Sequence, residues 1–140
     1  MKKVIFYIDG GALGNPGPAA IGVLLCNEKK EVIKTFSQKI GEKTNNEAEY
    51  LAAIFALSKF KALFGKKIAK ATEIEIRSDS QLLVNQMNGK FKILDEKIKP
   101  LFVELWNQKL DFKKVSFVLI SRNQNKIADS LVKKELEKKN

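Results

Sequence analysis

Residues 4–11 read VIFYIDGG. Five apolar side chains in succession suit a strand covered on both faces rather than one face of a helix. The run stops at Asp9-Gly10-Gly11, which predicts a strand over residues 4–8 with a carboxylate at its end. Residues 19–26 and 31–40 follow as two further strands, joined by the polar Asn27-Glu28-Lys29-Lys30, so the first three strands read as an antiparallel meander.

From Thr44 the period becomes helical and continues to about Phe64. Thr44 and Glu47 have the S/T-x-x-E spacing in which each side chain satisfies a free N–H at the helix start. Glu49 heads the stripe Ala52, Ala53, Ala56, Phe60 and Leu63, so this carboxylate faces the packed side of the helix. Burial of an unpaired carboxylate costs several kcal/mol, roughly, or forces protonation, and a bound divalent cation relieves that cost. Glu47, two residues earlier, points the other way and is explained by the cap.

The polar segment Gly65–Ala71 leads to EIEIRS at 73–78, where isoleucines alternate with charged residues as in a strand with one buried face. Asp79 ends it. A short helix over Ser80–Asn88 stops at Gly89, a second helix is expected over Asp95–Leu110 with Pro100 near its first turns, and VSFVLI at 115–120 makes a fifth strand. The last helix begins near Asn123–Asn125 and runs into the Lys-rich tail. The order β-β-β-α-β-α-α-β-α predicts an α/β fold in which a five-stranded mixed sheet, antiparallel in strands one to three, is flanked by helices.

The chain has 140 residues, 44% hydrophobic and 30% charged, enough for one domain over 1–140 with a real core. It has no histidine and a single cysteine, Cys26. Histidine bases, serine triads, imidazole metal sites and thiolate zinc clusters are therefore excluded, and carboxylates are left as catalytic groups. A metal held by them is hard and oxygen-ligated, such as Mg²⁺ or Mn²⁺. The net charge of +10, from 26 basic and 16 acidic residues, suits a polyanionic partner, although Lys-rich small proteins are also basic for solubility alone. No apolar run approaches the ~18 residues of a membrane span, and MKKVIFYID sets an Asp where a signal peptide needs apolar residues, so a cytoplasmic protein without membrane contact is expected.

Taken singly, the carboxylates have ordinary explanations. Asp9 and Asp79 each follow a predicted strand and fit turns or N-caps, and Asp129 on the first turns of the last helix fits the helix dipole. Together they suit a different task. Strand ends of α/β sheets gather sites, and two ions about 3.5–4 Å apart need several converging carboxylates.

Four segments resemble type 1 ribonuclease H: YIDGGALGNPG at 7–17, TNNEAEY at 44–50, SDSQ at 78–81 and NQNKIADSLV at 123–132. The resemblance implies a ribonuclease H-like fold and Asp9, Glu49, Asp79 and Asp129 as catalytic ligands of two Mg²⁺ ions, with Mn²⁺ as a substitute. It implies hydrolysis of the RNA strand of RNA–DNA hybrids by a monomer, leaving 5′-phosphate and 3′-hydroxyl ends. It also implies substrate contacts by Asn15, Asn45, Asn46 and Gln81, with Asn125 near the fourth ligand. Short amides suit the shallow minor groove of a hybrid and its 2′-hydroxyls, whereas a turn before Pro16 and ordinary helix-start chemistry are the plainer accounts of Asn15, Asn45 and Asn46.

The chain departs from the family pattern in two places. Many members carry a histidine in the loop before the last helix; here that loop is short and reads Ser121-Arg122-Asn123, so Arg122 is a candidate phosphate ligand or a plain surface cation. Some members have a Trp-rich basic protrusion, whereas here Lys90, Lys92, Lys97, Lys99 and Trp106 are mixed with acids, and a Trp on an apolar helix face reads as core. Three rivals stand beside a hybrid-specific nuclease: a relaxed member also cutting double-stranded RNA, a non-catalytic nucleic-acid binder, and a junction resolvase relative.

Overall fold

The computed structural model describes residues 2–139. Strand β1 (Lys3–Ala12) is the centre of a five-stranded sheet of order β3-β2-β1-β4-β5, with β2 over Gly17–Asn27, β3 over Val32–Lys43, β4 over Glu73–Ser78 and β5 over Lys114–Leu119. The meander β1-β2-β3 is antiparallel, while β4 runs parallel to β1 and β5 parallel to β4, as the intervening helices require. Helices α1 (Asn45–Phe64), α2 (Lys66–Lys70), α3 (Gln81–Met87) and α4 (Lys99–Lys109) precede α5 (Lys126–Glu137), which is entered through a single 3-10 turn at Arg122–Asn125.

Alternation along β1 divides its side chains between two layers. Val4, Phe6 and Ile8 join Ile21, Val23, Leu25, Ile74 and Ile76 in the main core, under Tyr50, Leu57 and Phe60 of α1. Ile5 packs on the other face with Leu24 and Cys26. Helix α5 lies on that second face, across β2 and β1.

Several boundaries differ from those expected of the sequence. β1 does not end at Ile8: its ladder with β2 continues through Asp9↔Gly22 to Ala12↔Ala19, so Asp9 stands inside the strand. Gly10, next to Asp9 in sequence, and Gly22, paired with it across the ladder, serve helix packing instead. A Cβ on Gly10 would lie 2.3 Å from the backbone carbon and oxygen of Ala48, and one on Gly22 only 2.5 Å from the Ala128 oxygen. These two positions let α1 and α5 approach the sheet from opposite sides. The segment Gly65–Ala71 contains the short α2, and α4 starts at Lys99 rather than Asp95, with Pro100 in its first turn where a missing N–H does least harm. Residues before it turn about Asp95, whose carboxylate accepts from the Lys97 N–H at 2.8 Å. Leu63 is 43% exposed and so does not extend the buried stripe of α1. Trp106 is 42% exposed rather than core, stacked on Phe102 with the Lys109 ammonium 3.7 Å from its ring centroid. Among the described residues no helix is long and apolar enough to cross a membrane.

The neighbouring glycines make a controlled test of this packing. A Cβ on Gly11 meets nothing nearer than a Val132 methyl at 3.5 Å, an ordinary contact. Gly10→Ala is expected to cost roughly 2–3 kcal/mol or more, as overpacking against backbone does, and Gly11→Ala less than about 0.5 kcal/mol. Urea unfolding of both variants gives the comparison; equal stabilities would remove the close approach as the reason for glycine at position 10.

Candidate active site

The last parallel pair between β1 and β4 is Tyr7↔Arg77. Two residues further along each strand stand Asp9 and Asp79, on the same face by alternation and at the ends where the two strands part. Asp79 follows β4 directly and precedes Ser80, whose hydroxyl accepts from the Leu83 N–H as the N-cap of α3. Glu49 comes from the first turns of α1, and its Oε1 accepts from the Gly10 N–H at 2.7 Å. That bond needs the close approach at Gly10. Asp9, Glu49 and Asp79 each bring a carboxylate oxygen to within 4.8 Å of the others, with Asp9 and Glu49 both only 8% exposed.

Glu47 lies outside the cluster. It closes a capping box with Thr44: its N–H donates to the Thr44 hydroxyl at 3.1 Å, and its carboxylate accepts from the Thr44 N–H at 3.0 Å. The helix phase read from the sequence thus separates the two glutamates correctly.

Asp129 lies in the first turn of α5, carried to the sheet by the contact at Gly22, and lines the same crevice of about 1170 Å³. Its carboxylate adds to the repulsion that raises the pKa of Asp9. It is 44% exposed and paired with Lys133 at 2.9 Å, outside the tight trio. Lys133 also lines the crevice, a position that the sequence reading passed over although its i,i+4 spacing from Asp129 was the available signal.

Asn45, Asn46, Gln81 and Arg122 line the crevice and are exposed. The Asn45 Oδ1 also accepts from the Ala12 N–H at 2.9 Å, while Asn15 Oδ1 accepts from the Asn45 N–H at 2.9 Å. These bonds clasp the β1–β2 turn to the start of α1. Asn125 is buried at 1% exposure, and its Nδ2 donates to the Ile8 carbonyl at 2.8 Å and to Asp79 Oδ2 at 3.2 Å.

Burial first, and then repulsion from Asp79 and Asp129, push Asp9 from an ordinary 3.8 up to about 7, against the lowering effect of the Gly10 N–H. Glu49 is also raised well above its usual range, by burial and then by Asp9 and Asp79, with Gly10 and Arg122 opposing. An all-oxygen cluster in which burial and mutual repulsion raise two of the three carboxyls fits a hard divalent cation.

A family model described as reverse transcriptase-like matches residues 7–135. LC11-RNase H1, isolated from compost and solved in complex with an RNA/DNA hybrid, is 42% identical, with a TM-score of 0.88 and 94% of each chain covered. The chain belongs to the type 1 ribonuclease H family. It is 35% identical to ribonuclease HI of Halobacterium salinarum over 96% of its own length and 65% of that protein. It is 34% identical over 92% of its length to the bifunctional protein Rv2228c of Mycobacterium tuberculosis, of which it spans 34%. The chain therefore spans about a third of this mycobacterial relative and just under two thirds of the halobacterial one.

The pKa of Asp9 carries a stability consequence. Between 3.8 and about 7 the folded, metal-free chain holds a proton on Asp9 that the unfolded chain has released. Stability from this group is then full below pH 3.8 and lost as pH rises through 7. Asp9→Asn is expected to flatten that decline in melting temperature. If the wild type and the variant, both in chelator, show the same slope between pH 4.5 and 7.5, Asp9 is not the group titrating.

Proposed function

We propose that this chain is an endonuclease that hydrolyses the RNA strand of RNA–DNA hybrids, acting as a monomer and leaving 5′-phosphate and 3′-hydroxyl ends. Asp9, Glu49, Asp79 and Asp129 are its catalytic carboxylates and hold two Mg²⁺ ions, for which Mn²⁺ substitutes. The observation that carries the reading is the convergence of Asp9, Glu49 and Asp79 from three separate elements onto one spot within 4.8 Å, with Asp129 on the same crevice wall. Neither turn chemistry nor a helix dipole asks for that convergence.

Divalent ions bound there supply the charge that activates water and stabilises the leaving oxygen in phosphodiester hydrolysis. The chain's own groups do the rest. The Gly10 N–H keeps Glu49 turned toward Asp9. Asn45, Asn46 and Gln81 offer short amides along the crevice, suited to the 2′-hydroxyls and base edges of a hybrid minor groove. Arg122, at the crevice rim in a chain without histidine, offers a fixed positive charge for a backbone phosphate.

Glu49→Gln keeps size and polarity but removes the charge that holds a cation, so cleavage is expected to fall by at least about a hundredfold in a folded protein. Glu47→Gln still completes the capping box and is expected to change rate and stability little. Single-turnover cleavage at saturating Mg²⁺, on matched RNA–DNA hybrid, double-stranded RNA and DNA duplex, decides the matter. Activity that survives Glu49→Gln, or a preference for RNA duplex over hybrid, would defeat the corresponding part of the reading. Hybrid affinity is expected to fall with salt, log K declining by roughly 0.7–0.9 per phosphate contact.

A further inference from the structure

Asn125 has an unusual accounting of hydrogen bonds. Its side chain is shut away from solvent at 1% exposure, and both polar groups facing its Nδ2, the Ile8 carbonyl and Asp79 Oδ2, are acceptors. The amide must therefore present its donor end to them. Its Oδ1 is then left buried with no partner among the described residues. An unpaired buried acceptor typically costs about 1–3 kcal/mol, and a group that keeps such a cost calls for a reason beyond packing.

The position explains what is gained. The β1–β4 ladder ends at Tyr7↔Arg77, and the next β1 carbonyl, Ile8, accepts from Asn125 instead. The same amide nitrogen reaches across to Asp79, the first residue beyond β4. One side chain from the start of α5 thus ties together the two diverging strands that carry Asp9 and Asp79. It holds one oxygen of the Asp79 carboxyl and so fixes the plane in which that group meets its neighbours.

We propose that Asn125 is a positioning residue that locks Asp79 onto β1, keeping the carboxylate trio in its cation-binding geometry, rather than a residue that touches substrate. The inference rests on the proposed function for its consequences and on the two hydrogen bonds for its geometry. Groups that orient metal ligands typically change metal affinity by about 10- to 100-fold when removed. The amide is buried, so no such change is expected in hybrid binding.

The test uses the full chain with Asn125→Ala, read in three ways. Crystals grown in chelator are expected to show Asp79 leaving its single conformer while β4 stays in place. Calorimetric titration with Mn²⁺ is expected to show about 10- to 100-fold weaker binding. Steady-state cleavage is expected to show kcat reduced at fixed Mn²⁺ and partly restored by raising it, with KM for hybrid unchanged. A raised KM with unchanged Mn²⁺ affinity would make Asn125 a substrate contact and overturn the proposal. So would an Asp79 that keeps its conformer, or a lower melting temperature as the sole effect. If Asn125→Ala does not fold, Asn125→Ser, which leaves a smaller void but withdraws the donor from Asp79, is read by the same criteria. A wild-type chain that neither binds Mn²⁺ nor cuts hybrid would sink the functional reading, while the Asp79 conformer in metal-free crystals would still decide the role of Asn125.

Discussion

The site depends on how closely helix α1 can lie on strand β1. A Cβ at Gly10 would sit 2.3 Å from the Ala48 backbone, so only glycine permits the distance at which Glu49 accepts from the Gly10 N–H. The helix cooperates from its own side: Ala48, Ala52, Ala53 and Ala56 are fully buried, so its sheet-facing surface is small. Gly22 does for α5 what Gly10 does for α1, and it is paired with Asp9 across the β1–β2 ladder. Two helices thus press on the sheet from opposite faces within one residue of the central carboxylate. The trio converges because the backbone can, and larger side chains at positions 10 and 22 would hold the ligands apart whatever their identity.

That convergence is unfavourable for the chain by itself. Burial and mutual repulsion raise Asp9 and Glu49, and what opposes them nearby is modest: the Gly10 N–H for both, with Arg122 acting on Glu49. Well-built cores do not keep such arrangements without a use for them, and conflicts of this kind concentrate at functional sites. The surrounding frame carries the cost through dense apolar packing, with Phe6, Ile8, Tyr50, Leu57 and Phe60 almost fully buried around the strand and helix that meet there.

Much of this was legible in the sequence, for physical reasons that differ by residue. The phase of α1 followed from the spacing of Glu49 with Ala52, Ala53 and Ala56, and the Thr44–Glu47 box explained Glu47 away. The antiparallel meander of β1, β2 and β3 and the parallel β4 and β5 followed from which strands are joined by short polar links and which by helices. The role of Gly10 was misread, because a glycine pair after an apolar run looks the same whether the strand stops or a helix crosses it. The contact that reveals the difference is with Ala48, 38 positions later, and local pattern carries no trace of it. Asn125 was picked out through the family resemblance, but its burial and its partners, Ile8 and Asp79, were hidden in the same way, being distant in sequence. Lys133 was missed for a different reason: its i,i+4 spacing from Asp129 was legible, but in a Lys-rich tail that spacing is common and gains meaning only once Asp129 is seen on the crevice wall.

The acidic crevice sits within a chain of net charge +10, and the two facts constrain each other. Over distances near the Debye length the excess of lysine attracts a polyanion, but at contact a phosphate meets Asp9, Glu49 and Asp79. Arg122 and Lys133 soften that local repulsion, and Lys133 is already engaged by Asp129. On the proposed function, the larger correction comes from bound cations, which turn a repelling crevice into an attracting one. Linkage then makes the effect mutual: if cations strengthen the grip on a phosphate, the phosphate strengthens the grip on cations by the same factor. A trio in which burial and mutual repulsion raise Asp9 and Glu49 is suited to this coupling. On the proposed function, cations and substrate each bind more firmly with the other present, so the charge that hydrolysis would need assembles together with the strand to be cut.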